Sequence, residues 1–129
     1  MQEIKNSNDI GQATAVTFIR ITTKDAINGG GDLKNHRAAF SADAKDNDIY
    51  IVIGFADIRR IENDKRPELA RLFYFLKNNQ IDFVYIPSLS HLSDNIETAK
   101  ALAQMIEETG SQIIFTDNKH ISSPRFKRL

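Results

Sequence analysis

The chain has 129 residues, 41% hydrophobic and 26% charged, which suits one globular domain with a sizeable core. Its 17 Lys and Arg balance its 17 Asp and Glu, so no global field draws it to nucleic acid or to a membrane surface. Cysteine is absent, which excludes disulfides, thiolate nucleophiles and cysteine-based zinc sites.

Met1 to Ala13 lacks periodicity and is expected to be a flexible tail. Met1 to Gln12 is polar, with no signal-peptide core, and no apolar run approaches the ~18 residues of a bilayer span. A cytoplasmic protein without membrane contact is the resulting expectation. Ala15 to Ile21 is rich in β-formers and predicts the first strand. Ile27 to Asp32 holds three glycines and predicts a flexible turn, and Leu33 to Lys45 follows with helical spacing. Ile49 to Phe55 is an apolar run that predicts a strand buried on both faces. Asp57 to Lys65 is charged and predicts an exposed loop. Pro67 suits a first helical position, and Leu69, Leu72, Phe73 and Leu76 form that helix's apolar stripe. Asp82 to Ile86 predicts the third strand. Ser93 is the expected N-cap of a helix with Ile96, Ala99, Leu102, Ala103 and Ile106 buried, and Gly110 its C′ residue. Gln112 to Thr116 predicts the fourth strand, and residues 119–129 a basic tail with Lys119, Arg125, Lys127 and Arg128.

Strands alternating with helices imply βαβ units. The predicted fold is α/β: a single domain over residues 14–118, with a four- to five-stranded, mainly parallel sheet and helices on both faces. In such a sheet a site forms beyond the carboxyl ends of the strands. Arg20 to Lys24, Asp57 to Arg66 and Ser88 to Asp94 all follow strands and are expected to meet there.

Three segments carry a family resemblance. They are Phe18-Ile19-Arg20-Ile21-Thr22-Thr23 at the end of the first strand, Lys65-Arg66-Pro67-Glu68-Leu69 opening a helix, and Leu89-Ser90-His91-Leu92-Ser93-Asp94 after the third strand. In order and strand context they resemble the catalytic domain of the serine recombinases, the resolvase and invertase family. The resemblance spans Val16 to Asn118. It implies a resolvase-like fold and a place in DNA recombination or mobile-element biology. In that family a serine hydroxyl attacks a backbone phosphate, and surrounding arginines neutralise the developing charge.

Carried over residue by residue, the resemblance makes Arg20 and Arg66 phosphate-region arginines and Arg37 the helical arginine. Thr22 stands at the nucleophile position. A threonine hydroxyl is a competent nucleophile, but its methyl group crowds in-line attack and restricts χ1. Asp25 and Ala26 stand where the family usually has glutamine. In the third motif Ser90 replaces an acid, His91 replaces one arginine and Asp94 another. Histidine lacks arginine's planar fork and its permanent charge. A carboxylate beside a bound phosphate repels it. The expected protein is therefore a catalytically impaired or inactive relative that acts as an accessory or regulatory partner. Its site residues are Thr22, Arg20 and Arg66, with Arg37 and His91 for phosphate or DNA contact.

DNA, bound weakly through its backbone, and a homodimer or recombinase partner are the expected partners, with no cofactor and no metal. One alternative is a protein-interaction or dimerisation module with no DNA role. Another is active strand exchange with Thr22 as nucleophile. A third is a small-molecule or phosphate binder using the same sheet edge. His36, His91 and His120 lack metal-ligand spacing. Gly29 to Gly31 lacks the Walker and dinucleotide patterns. Ser90 and His91 are sequence neighbours with no nucleophile-elbow glycines, a poor start for a hydrolase.

Overall fold

The computed structural model describes residues 11–59, 66–117 and 120–121. The elements are β1 (Ala13–Thr22), α1 (Thr23–Ile27), α2 (Gly31–Asp46), β2 (Ile49–Arg59), α3 (Pro67–Asn78), β3 (Phe83–Ile86), a 3-10 turn (Leu89–His91), α4 (Ile96–Glu108), β4 (Gln112–Phe115) and β5 (His120–Ile121). They build one sheet in the order β2-β1-β3-β4-β5. β1 to β4 run parallel, and β5 returns antiparallel to β4. This is the predicted α/β architecture.

Period-two alternation along the strands separates two cores. Val16 and Phe18 of β1, Val84 and Ile86 of β3, and Ile113 and Phe115 of β4 pack against α3 and α4 through Leu69, Leu72, Leu76, Ala99 and Ile106. Ala15, Ile19 and Ile21, with Phe83, Tyr85 and Ile114, pack against Phe40 and Ala44 of α2 on the other face. Each fully buried side chain of this kind contributes about 1.5–3 kcal/mol by leaving water. Tyr85 is wholly buried, stacks on Phe40 with centroids 5.5 Å apart, and donates its hydroxyl hydrogen bond to Asp43. β1, central and paired on both edges, carries the site out from between these layers.

The structure corrects several local expectations. Ile49 to Phe55 is not buried on both faces: β2 is the sheet edge, and Tyr50 and Ile53 are exposed. The β1–β2 register steps from Ala15–Ile51 to Val16–Ile53, a bulge at Val52 that breaks strict alternation. Gly54 lies against Thr17, whose Oγ1 would sit 2.6 Å from an added Cβ, so only glycine fits the β1–β2 contact there. The turn expected over Ile27 to Asp32 shrinks to Asn28–Gly30, with Gly29 and Gly30 at φ 96° and 73°, because α1 ends and α2 begins inside it. The N-cap of α4 is Asn95, whose side chain accepts from the Thr98 N–H at 2.9 Å, while Ser93 accepts from the Asn95 N–H one step earlier. Ile96, expected in the buried stripe, is 53% exposed because the helix begins there. Gly110 follows the last helical turn at φ 106°, the C′ geometry expected of it.

β1 begins at Ala13, which pairs with Ile49, one residue before the expected start of the domain. β5 falls within the stretch expected to be a basic tail. Most of that tail, Met1 to Ile10, and the charged stretch Arg60 to Lys65 lie outside the described residues. Among the described residues no helix is long and apolar enough to cross a membrane.

Candidate functional site

The carboxyl ends of β1, β2 and β3 bring Arg20, Asp57 and the Ser88–Asp94 loop to one edge. Arg20 is on the same β1 face as Val16 and Phe18, and so turns toward the α3/α4 side. Its residue exposure is 8%, and burial of a permanent cation demands anionic or dipolar partners. One is Asp94, whose Oδ1 lies 3.8 Å from Arg20 Nη1 and whose side chain is 58% exposed.

His91 is the hub of this edge. Its Nδ1 accepts the hydrogen bond of the Arg20 backbone N–H at 2.9 Å. Its backbone carbonyl and that of Leu92 accept from Arg66 Nη2 and Nη1 at 2.9 and 2.5 Å. One loop residue thus joins Arg20 of β1 to Arg66 at the start of α3. The His91 pKa is lowered from 6.5 to about 4, chiefly by burial, with His36, Arg20 and Arg66 adding to the lowering and Asp117 opposing it. At neutral pH the imidazole is uncharged. An acceptor at Nδ1 also places its remaining hydrogen on Nε2. His36 meets it edge-on at 5.1 Å, and His36 Nδ1 is 3.9 Å from Asp117.

Arg66 is the N-cap residue of α3, before Pro67 at N1. Its guanidinium also lies 3.6 Å from Asp57 Oδ2 and over the Phe18 ring at 5.8 Å. Asp57 was expected in an exposed loop. It instead lies within β2, near its carboxyl end and 3% exposed, and caps α3 by accepting from the N–H groups of Glu68 and Leu69, each at 3.0 Å. This carboxylate supplies the cap that the Arg66 side chain cannot. No local sequence signal reveals it, because donor and acceptor are 11 and 12 residues apart.

Thr22 is exposed at the end of β1 and caps α1, its Oγ1 accepting from the Asp25 N–H at 3.0 Å. Asp25 then caps α2, accepting from Asp32 N–H at 2.9 Å and Leu33 N–H at 3.4 Å. Thr22 and Asp25 therefore organise two helix starts in tandem. Arg37 is exposed on α2, the neighbour of His36 in sequence. Ser90 pairs its hydroxyl with Ser88 at 2.9 Å, and His91 Nδ1 is taken by Arg20, so no Ser–His hydrogen bond supports a hydrolase. No three His, Asp or Glu side chains among the described residues are grouped to hold a metal ion.

A cavity of about 600 Å³ lies at the opposite edge of the sheet, lined in part by Gly11, Thr14, Asp82 and Gly110. Its Asp82 carboxylate accepts from the Thr14 backbone N–H at 2.8 Å. It contains none of the arginines, and the strand-end cluster remains the better candidate on chemistry.

Comparison with known proteins gives a consistent picture. The family described as Resolvase, N terminal domain, matches residues 15–129. A resolvase family site-specific recombinase from Streptococcus pneumoniae superposes with a TM-score of 0.75 at 21% identity, covering 88% of this chain and 78% of that one. The C-terminal catalytic domain of ISC1926 TnpA, an IS607-like serine recombinase, gives 0.67 at 20% identity, covering 80% and 70%. The N-terminal catalytic domain of TP901-1 integrase gives 0.69 at 17% identity, covering 87% and 84%. These likenesses establish the fold. No curated protein matches the sequence.

Proposed function

Because this chain belongs to the resolvase N-terminal domain family, we propose that it serves in DNA recombination as a domain that touches the phosphate backbone without efficient strand cleavage. The observation that carries the second half is the environment of Arg20. The loop residue beside it, His91, is neutral, and the next charged residue of the loop, Asp94, brings a carboxylate to 3.8 Å from its guanidinium. At Arg20, an arriving phosphodiester meets a buried guanidinium flanked by an uncharged ring and by a carboxylate. Loss of a transition-state contact typically costs ~10²-fold or more in rate.

Thr22 strengthens the reading. Its hydroxyl oxygen already accepts a helix-capping hydrogen bond. Its β-branch limits the rotamers from which it can attack in line. Arg20 supplies the phosphate contact, while Arg66 spends its donors on loop carbonyls and its charge on Asp57. Arg37, exposed on α2, is available for a backbone phosphate.

The test is denaturing electrophoresis after incubation with supercoiled and nicked DNA, looking for a covalent phosphothreonine adduct. Duplex binding is expected with no adduct for either the wild type or Thr22→Val. An adduct that Thr22→Val abolishes would establish Thr22 as a working nucleophile and overturn the impaired reading.

Zero net charge and the exposed Tyr74, Met105 and Ile96 favour a second reading, a protein-interaction or dimerisation module with no DNA role. A dimer by light scattering together with no duplex affinity at low salt would select it.

A further inference from the structure

From the strand-end edge we infer that Asp94 is a built-in competitor for the anion site of Arg20: its carboxylate stands where an incoming phosphate oxygen would meet the guanidinium, and removing its charge opens the site. The inference rests on the proposed phosphate-contacting role of Arg20.

The Arg20 side chain is 4% exposed, yet its Nη1 is directed to the surface-lying Asp94. A guanidinium so enclosed needs anionic or dipolar company in any state of the protein. Asp94 is 58% exposed and belongs to a loop, so its carboxylate can move away at little cost in packing. The 3.8 Å separation is an ion-pair contact looser than a charge-assisted hydrogen bond. Buried cation and movable anion together make an exchangeable pair, one in which an external phosphate can take the carboxylate's place.

Asp57, a second carboxylate among the described residues of this edge, is buried and committed to the N–H groups of Glu68 and Leu69, so it cannot swing out without uncapping α3. The Arg20 backbone is fixed by His91 Nδ1, so the cation cannot follow Asp94 away. Asp94 precedes Asn95, the residue whose side chain caps α4 by accepting from the Thr98 N–H, so neutralising Asp94 leaves that cap in place. Glu97, in the first turn of α4, is exposed and provides a charge-matched control that lacks the Arg20 contact.

The experiment compares wild type, Asp94→Asn and Glu97→Gln by anisotropy of a labelled random duplex at low salt. Inorganic phosphate is titrated in parallel, with the melting temperature as readout. Asp94→Asn is expected to bind the duplex about five- to tenfold more tightly than wild type, with Glu97→Gln within about twofold, because only a contacting charge competes locally. Phosphate is expected to raise the melting temperature of Asp94→Asn more than that of wild type. Equal duplex affinity for wild type and Asp94→Asn, when both bind, overturns the inference and leaves the DNA reading standing. An equal gain from Glu97→Gln also overturns it, since the effect is then general charge. If no variant binds duplex but phosphate selectively stabilises Asp94→Asn, the inference stands and the DNA reading falls. Absence of both effects overturns both.

Discussion

His91 shows how one side chain changes the character of a site. Its Nδ1 lone pair accepts the Arg20 backbone N–H at 2.9 Å. That bond requires the unprotonated ring, and the pKa is lowered from 6.5 to about 4, chiefly by burial. The folded state therefore holds this proton less tightly than the unfolded chain. The stability that comes from the neutral ring is fully present above about pH 6.5 and is lost as pH falls through about 4. Urea unfolding of wild type is expected to show a loss on the order of 1–2 kcal/mol from this group over that window, once solvent screening is allowed for. Asn in place of His91 offers an acceptor near Nδ1 but no titration. His91→Asn should keep most of the neutral-pH stability and show a shallower acid slope than wild type. Identical slopes would mean that His91 is not held neutral by folding.

At the scale of elements, the site is assembled from helix starts and strand ends that cap one another. Thr22 caps α1, Asp25 caps α2 and Asp57 caps α3, each from the chain preceding its helix. Asp57 joins β2 to α3 and carries Arg66 with it, and Arg66 in turn holds the His91–Leu92 carbonyls. Removing this carboxylate thus leaves the Glu68 and Leu69 N–H groups without their cap and takes from Arg66 its Asp57 counter-charge. Asp57→Ala is expected to destabilise the fold by roughly 2–4 kcal/mol, read as a lower urea midpoint with an unchanged m-value. A loss below about 0.5 kcal/mol would show that solvent replaces the cap without penalty.

At the scale of the molecule, a formally neutral chain can reach DNA only through a local patch. Arg20 at the strand-end edge and Arg37, exposed on α2, are candidates, with Arg66 largely engaged elsewhere. Releasing one counterion per neutralised phosphate gives a slope of log affinity against log salt of about −1 to −3. Measured anisotropy titrations should fall in that range. A slope much steeper than that would place the main DNA contacts on other basic residues, such as Lys119, Arg125, Lys127 and Arg128.

The sequence by itself determined the alternation of strands and helices, the parallel sheet and the family, because period-two and period-3.6 apolar patterns and short motifs are local signals. It also placed Arg20 and the Ser88–Asp94 loop after strands, and so at one edge. Tertiary structure alone decided that β2 is an edge strand, since strand order depends on which neighbours pair and not on the run of residues within Ile49–Arg59. It alone turned Asp57 from an expected loop residue into a buried cap, and made His91 the neutral acceptor of the Arg20 backbone N–H. Both outcomes arise from partners far away in the chain: Arg20 and His91 are separated by 71 residues, and only folding brings that backbone N–H to that ring nitrogen.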